Sequence, residues 1–247
     1  MQKKYVPENI QFYNRQISPF LKEAISISKY NSGKNKLALL DLGSGDGAII
    51  QSLLNQNIIN NFDKILGIDF VEERCLTASQ NIRNAYFVCG DTLKLPIQSD
   101  SIDLVNAWMV IEHVTDAQKM VKEIFRVLKD KGFLIISTVI KKRWAIYFYR
   151  TNHKFVLDPT HVKEYGSQEE FLTLLRKNSF DIEGIVTRMV RYSLLELITR
   201  LLIKLNLVKP QRARDIYVKN EYLSKITQFL QVPICGFYEI AVRCKKV

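Results

Sequence analysis

The sequence predicts an α/β fold: a mostly parallel seven-stranded sheet with helices on both faces. Two observations predict it. Short apolar runs alternate with segments of helical period along residues 37–140. Three of those runs end in glycine or an acid, where parallel strands present their carboxyl ends to a ligand. The length of 247 residues, with 47% hydrophobic content, is enough for one large domain with embellishments.

The elements follow in order. Residues 8–30 read as a helical segment that Pro19 interrupts. Strand one covers 37–41, and a helix opens near Gly47. Strand two is 64–69, followed by a helix over 71–80; strand three is 85–89 and strand four 102–108. A helix over 117–128 carries Val121, Ile124, Phe125 and Leu128 at helical spacing, and strand five is 133–139. Residues 141–160 are basic and aromatic. Ser167 caps a helix over 168–177, with Glu169 and Glu170 in its first turn. Strand six is 180–190, an amphipathic helix spans 192–208, and strand seven is 236–244. The divisions expected are an N-terminal helical cover at 1–36, a cofactor core at 37–140, and a C-terminal part at 141–247 with a substrate-cover insertion at about 192–235.

Leu39-Leu40-Asp41-Leu42-Gly43-Ser44-Gly45-Asp46-Gly47 is the most informative stretch. Gly43, Gly45 and Ala48 fit a dinucleotide fingerprint, with Asp69 at the spacing of a ribose-binding acid. However, Asp41 and Asp46 would repel a pyrophosphate. They suit a ligand with a positive centre and an amino group, which S-adenosylmethionine (SAM) has in its sulfonium and α-ammonium. Three further motifs follow in order. They are Leu66-Gly67-Ile68-Asp69-Phe70; Val88-Cys89-Gly90-Asp91 with Leu95-Pro96-Ile97 and Ser101-Ile102-Asp103-Leu104-Val105; and Leu128-Lys129-Asp130-Lys131-Gly132-Phe133-Leu134-Ile135-Ile136. With these motifs the chain, from about Leu37 to Thr138, resembles a class I SAM-dependent methyltransferase of the bacterial small-molecule and glycan type.

The resemblance implies a Rossmann-like fold with strand seven added antiparallel, and a helical substrate cover. It implies that Asp41, Gly43, Ser44, Gly45 and Gly47 surround the methionine part of SAM. Asp69 would accept from the ribose hydroxyls, Phe70 would pack on the adenine, and Asp91 with Thr92 would take the adenine amine. Each acid can also be read as a loop or capping residue. An N-terminal helix often covers SAM in this family, which brings in Tyr13 and Arg15, the latter also readable as a solvated arginine.

Methyl transfer to a hydroxyl needs a base, and histidine suits that role near neutral pH. His113 follows strand four, beyond Trp108, and reads either as that base or as a capping residue. His161 lies in Asp158-Pro159-Thr160-His161, an element that resembles one in such enzymes; Asp158 would orient it, and Tyr165 would line the acceptor pocket. His153, among Arg150, Thr151, Asn152 and Lys154, reads as a surface residue.

The net charge is +11, with the excess outside the core and a Lys/Arg-rich segment at 141–214. Leu194, Ile198, Leu201, Leu205 and Val208 form an apolar helical stripe flanked by Arg200, Lys204 and Lys209. It reads as a stripe packed on the sheet, a lid or a dimer contact, as most amphipathic helices are, with an anionic-membrane contact as the alternative. The four cysteines show no metal or redox spacing, so no metal site is expected, and Cys89 is expected to be a buried strand thiol. No secretory leader or spanning run is read, so a cytoplasmic setting, peripheral to the membrane if the stripe docks there, is expected. The reaction expected is O-methylation of a small molecule or a sugar or lipid-linked acceptor, yielding S-adenosylhomocysteine. The alternative is a nucleic-acid or protein methyltransferase, although Asn106-Ala107-Trp108-Met109 stands where base-amine enzymes carry N-P-P-Y.

Overall fold

Strand β1 (Leu37–Leu42) is buried along its whole length, which requires cover on both faces of the sheet. The computed structural model describes residues 17–147, 149–151, 154–209 and 231–247. β1 runs parallel to β2 (Phe62–Asp69) on one side and β4 (Ile102–Trp108) on the other. β3 (Tyr86–Cys89) extends the sheet beyond β2, and β5 (Leu128–Lys141) beyond β4, again in parallel. β8 (Phe180–Ser193) and β9 (Gln231–Lys246) complete the order β3-β2-β1-β4-β5-β9-β8. The sheet is mostly parallel with one antiparallel edge.

Helices supply the cover. Phe20, Leu21, Ala24 and Ile25 of α1 (Pro19–Ser32) join Ile50 and Leu53 of α2 (Ala48–Asn55) in one cluster with Leu37, Leu39, Leu104, Phe133 and Ile135. α3 (Glu72–Asn81) lies against β2 and β3. α4 (Ala117–Val127) buries Met120, Val121, Ile124 and Val127, and its Asp116 cap accepts from the Lys119 N–H at 2.9 Å. α5 (Gln168–Arg176) starts at Ser167, whose hydroxyl accepts from the Glu170 N–H at 3.1 Å, as the sequence predicts. At the amino ends of the strands, Asp103 accepts from the Ala38 N–H and pairs with Lys34 and Lys129.

Several elements differ from expectation. Pro19 begins α1, where its missing N–H costs nothing, while residues 8–16 of the expected helical segment lie outside the described residues. β5 and β9 are longer than read, and α6 (Leu194–Lys204) is shorter. The basic aromatic stretch contains an unforeseen antiparallel pair, β6 (Tyr149–Thr151) and β7 (Lys154–Val156). Cys89 is exposed rather than buried, because β3 is an edge strand and pairs, among the described residues, with β2 alone.

By their internal contacts the residues form two units. Among the described residues, the larger comprises 17–141, 162–187 and 239–247; the other comprises 142–147, 149–151, 154–161, 188–209 and 231–238.

Candidate functional site

The carboxyl ends of β1, β2 and β4 frame the glycine loop in the larger unit. Parallel register sets Asp41 beside Gly67 of β2 and Asn106 of β4. Asp41 is 1% exposed, and its Oδ1 accepts from Asn106 Nδ2 at 2.6 Å. Its Oδ2 has no hydrogen-bond partner. Burial pushes this carboxyl up to about 7; the Asn106 hydrogen bond opposes the shift and the charge of Asp69 adds to it. A buried carboxylate oxygen left open at a loop is an acceptor waiting for a donor.

The loop itself is clamped to β2. The Gly43 and Ser44 N–H groups both donate to the Ile68 carbonyl, at 2.7 and 3.0 Å. Gly43 and Gly47 have φ of 66° and 82°. A Cβ on Gly43 would stand 2.3 Å from Val110 Cγ2, and one on Gly47 would stand 2.5 Å from Ile82 Cδ1. These two positions therefore need glycine for packing as well as for backbone sign. Ser44 is buried with its hydroxyl unpartnered.

Asp69, 7% exposed, ties three segments together. One oxygen accepts from the Gly45 N–H and the other from the Val71 N–H, each at 2.9 Å, while its carbonyl accepts from the Gly90 N–H. Each carboxylate oxygen keeps a further lone pair for an outside donor. The Phe70 ring is 54% exposed beside it. Asp91 is exposed and accepts from the Leu93 N–H at 2.8 Å, a local turn, while Thr92 is buried. The acids, the glycines, Phe70 and Thr92 thus share the strand ends of one unit. An orphaned acid oxygen and a backbone cradle fit a cationic, amino-bearing ligand such as SAM.

After β4 the chain makes a turn that sequence reasoning missed. Met109 adopts φ of 56°, and its N–H donates to the Ser137 hydroxyl of β5 at 3.0 Å. This turn presses Val110 against Gly43 and carries the short 3-10 helix Ile111–His113. Trp108 is half-buried against the core cluster. Glu112 is fully buried; it accepts from the Thr138 hydroxyl at 3.1 Å, and its carbonyl takes the N–H groups of Val162 and Lys163. His113 is half-buried, with its N–H on the Val110 carbonyl.

Tyr165, expected in an acceptor pocket, is instead a core residue. It is 1% exposed, its ring stands 5.0 Å from that of Phe171, and its backbone bridges to Ile140. Its hydroxyl has no hydrogen-bond partner, and burial, then the charge of Glu112, raises its pKa. In the other unit, Asp158 Oδ1 accepts from both the N–H and the hydroxyl of Thr160, and its carbonyl accepts from the His161 N–H at 3.1 Å. Tyr13, Arg15 and His153 lie outside the described residues. No long-range pairing such as Asp41 with Asn106 is visible in a local motif.

Comparison with known proteins agrees with this geometry. Residues 40–136 match the methyltransferase domain family. The chain is 27% identical over 155 residues to a malonyl-[acyl-carrier protein] O-methyltransferase of Marinomonas sp. (strain MWYL1), a match covering 58% of this chain and 53% of that protein. It is 28% identical over 152 residues to a demethylmenaquinone methyltransferase of Staphylococcus aureus (strain MRSA252), covering 58% and 59%. The chain thus spans little more than half the length of these curated relatives. Its fold is that of the Bacillus subtilis YcgJ protein, with a TM-score of 0.62 at 16% identity over 91% of this chain and 98% of that one. Through residues 40–136 the chain is thus similar to the methyltransferase domain, and the curated relatives that it resembles are methyltransferases.

Proposed function

We propose that this chain methylates an oxygen of a small molecule or of a sugar or lipid intermediate, using SAM and releasing S-adenosylhomocysteine. Asp41 carries the reading: a buried carboxylate with one unpartnered oxygen at the foot of a glycine loop. SAM, when bound, supplies a methyl group already activated by its sulfonium. The protein's task is then largely to position the reactants. Asp41 offers the negative charge that a cationic ligand lacks inside an apolar sheet. Asp69 holds the loop through Gly45 and keeps lone pairs for ribose hydroxyls, with Phe70 for the adenine face and Asp91 and Thr92 for its amine.

An acceptor hydroxyl must give up its proton, and either His113, in the larger unit, or His161, in the other unit with Asp158 positioning its loop, takes that step. The relatives named for malonyl-[acyl-carrier protein] and demethylmenaquinone support a small-molecule acceptor. Asn106 argues against methylation of a base amine, because it is 1% exposed and engaged with Asp41. Transfer of labelled methyl from SAM into fractionated host extract is the test. Label in small-molecule, glycan or lipid fractions supports the reading, and label in RNA, DNA or protein overturns it.

A further inference from the structure

Helix α6 is built inside out. Leu194, Ile198, Leu201 and Leu205 recur at spacings that mark one helical face, and they are 44%, 46%, 47% and 57% exposed. Leu205 continues the helical bonding through its N–H to the Leu201 carbonyl, and Leu207 just beyond is also exposed. The polar residues Thr199 and Arg200 occupy the opposite face and are buried. The Thr199 hydroxyl donates back to the Leu195 carbonyl at 2.8 Å. The Arg200 guanidinium lies 4.5 Å over the Tyr192 ring, which neighbours Tyr147, itself in edge contact with Phe237. A helix that faces water adopts the reverse arrangement.

Charge says what covers this face. Among the described residues, the unit that holds α6 (142–147, 149–151, 154–161, 188–209 and 231–238) contains nine Lys and Arg against two Asp and Glu. Those residues therefore carry a net charge of +7. Lys204 and Lys209 follow the stripe and are exposed, as are Arg188 and Arg191 before it. Trp144, next to Lys142 and Arg143 in the same unit, is 60% exposed. Among the described residues no helix is long and apolar enough to cross a membrane. A short helix with an apolar outer face and cationic flanks is instead suited to lie in a lipid interface. Two such units would repel each other, which opposes a second copy as the cover, and a nucleic acid has no use for a row of leucines.

We infer that α6 anchors the chain on an anionic lipid surface, with Leu194, Ile198, Leu201 and Leu205 inserted among the acyl chains and the surrounding cations on the headgroups. The experiment is flotation of the full chain with phosphatidylcholine vesicles, with and without about a third phosphatidylglycerol. The protein is expected to float with the anionic vesicles and to be released by salt. The double variant Ile198→Asp with Leu201→Asp, checked for an unchanged circular dichroism spectrum and melting midpoint, is expected to bind at least about tenfold more weakly. Failure to float with anionic vesicles at low salt overturns the inference, as does equal flotation of the variant. A concentration-dependent dimer, or RNA binding, that the variant loses without any lipid binding by the parent chain would assign the face to that partner instead. These readouts involve no methyl transfer, so they stand or fall separately from the proposed reaction.

Discussion

Between pH 6 and pH 8, SAM binding should tighten about tenfold, and Asp41→Asn should abolish that dependence. The carboxyl of Asp41 titrates near 7 because burial penalises its charge. If the ligand's cation binds the ionised form, apparent affinity scales with the ionised fraction, roughly one eleventh at pH 6 and ten elevenths at pH 8. Binding at pH 6 should therefore release close to one proton, and at pH 8 almost none. Calorimetric titration in two buffers of different ionisation enthalpy reads both quantities.

The same shift has a stability consequence of opposite sign. Because the folded pKa lies above the unfolded one, the stabilisation is fully present below the unfolded pKa and is lost as pH rises toward 7. The shift from 3.8 to about 7 corresponds to about 4 kcal/mol. Asp41→Asn keeps the shape and the acceptor for Asn106, so at pH 8 it should resist denaturant better than the parent while binding SAM poorly. A SAM affinity flat across this pH range, or an Asp41→Asn protein that binds like the parent, would refute the assignment of Asp41 to the cation.

Further substitutions separate packing from ligand contact. Gly43→Ala should cost about 2–4 kcal/mol in chemical denaturation, because its methyl would meet Val110 and its backbone sign is wrong for alanine. Gly45→Ala should cost less stability, since the nearest atom to its new methyl is Arg74 Nη1 at 3.6 Å, but it should weaken SAM binding measurably in the same titration. Tyr165→Phe should leave activity unchanged and stabilise the fold by about 1 kcal/mol in denaturant melts, because it removes a buried, unpartnered hydroxyl. His161→Ala should lower turnover far more than SAM affinity in a labelled-methyl assay, and equal activity would remove it from the catalytic step.

The sheet was legible where single residues carry local signals. β1 reads as a strand because its six consecutive positions are all apolar except for Asp41, next to last. Its loop reads as a cradle because only glycine adopts those backbone angles cheaply. The support of that loop was not legible, because it comes from far along the chain. Asn106 reaches Asp41 across 65 positions, and Val110 meets Gly43 only because Met109 turns on Ser137. Cys89 and Tyr165 failed for related reasons. An apolar strand does not announce that it lies at an edge, and an aromatic after a motif does not announce that Phe171 will pack over it.

Helix α6 shows the limit of periodicity most directly. The spacing of Leu194, Ile198, Leu201 and Leu205 identifies a stripe, and the usual inference sends such a stripe inward. Periodicity defines a face but not its direction, which is set by competition for the interior. Here that competition was won by Arg200, whose guanidinium lies over Tyr192. A buried cation on an aromatic face offsets part of its own desolvation, but nothing inside the unit recovers the hydrophobic free energy of four exposed aliphatic side chains. That free energy is recovered only when an outside apolar phase meets the helix. A unit whose described residues carry +7 selects an anionic one. The salt dependence of vesicle binding and its loss in the Ile198→Asp, Leu201→Asp protein therefore test one argument from two directions, charge and apolar area.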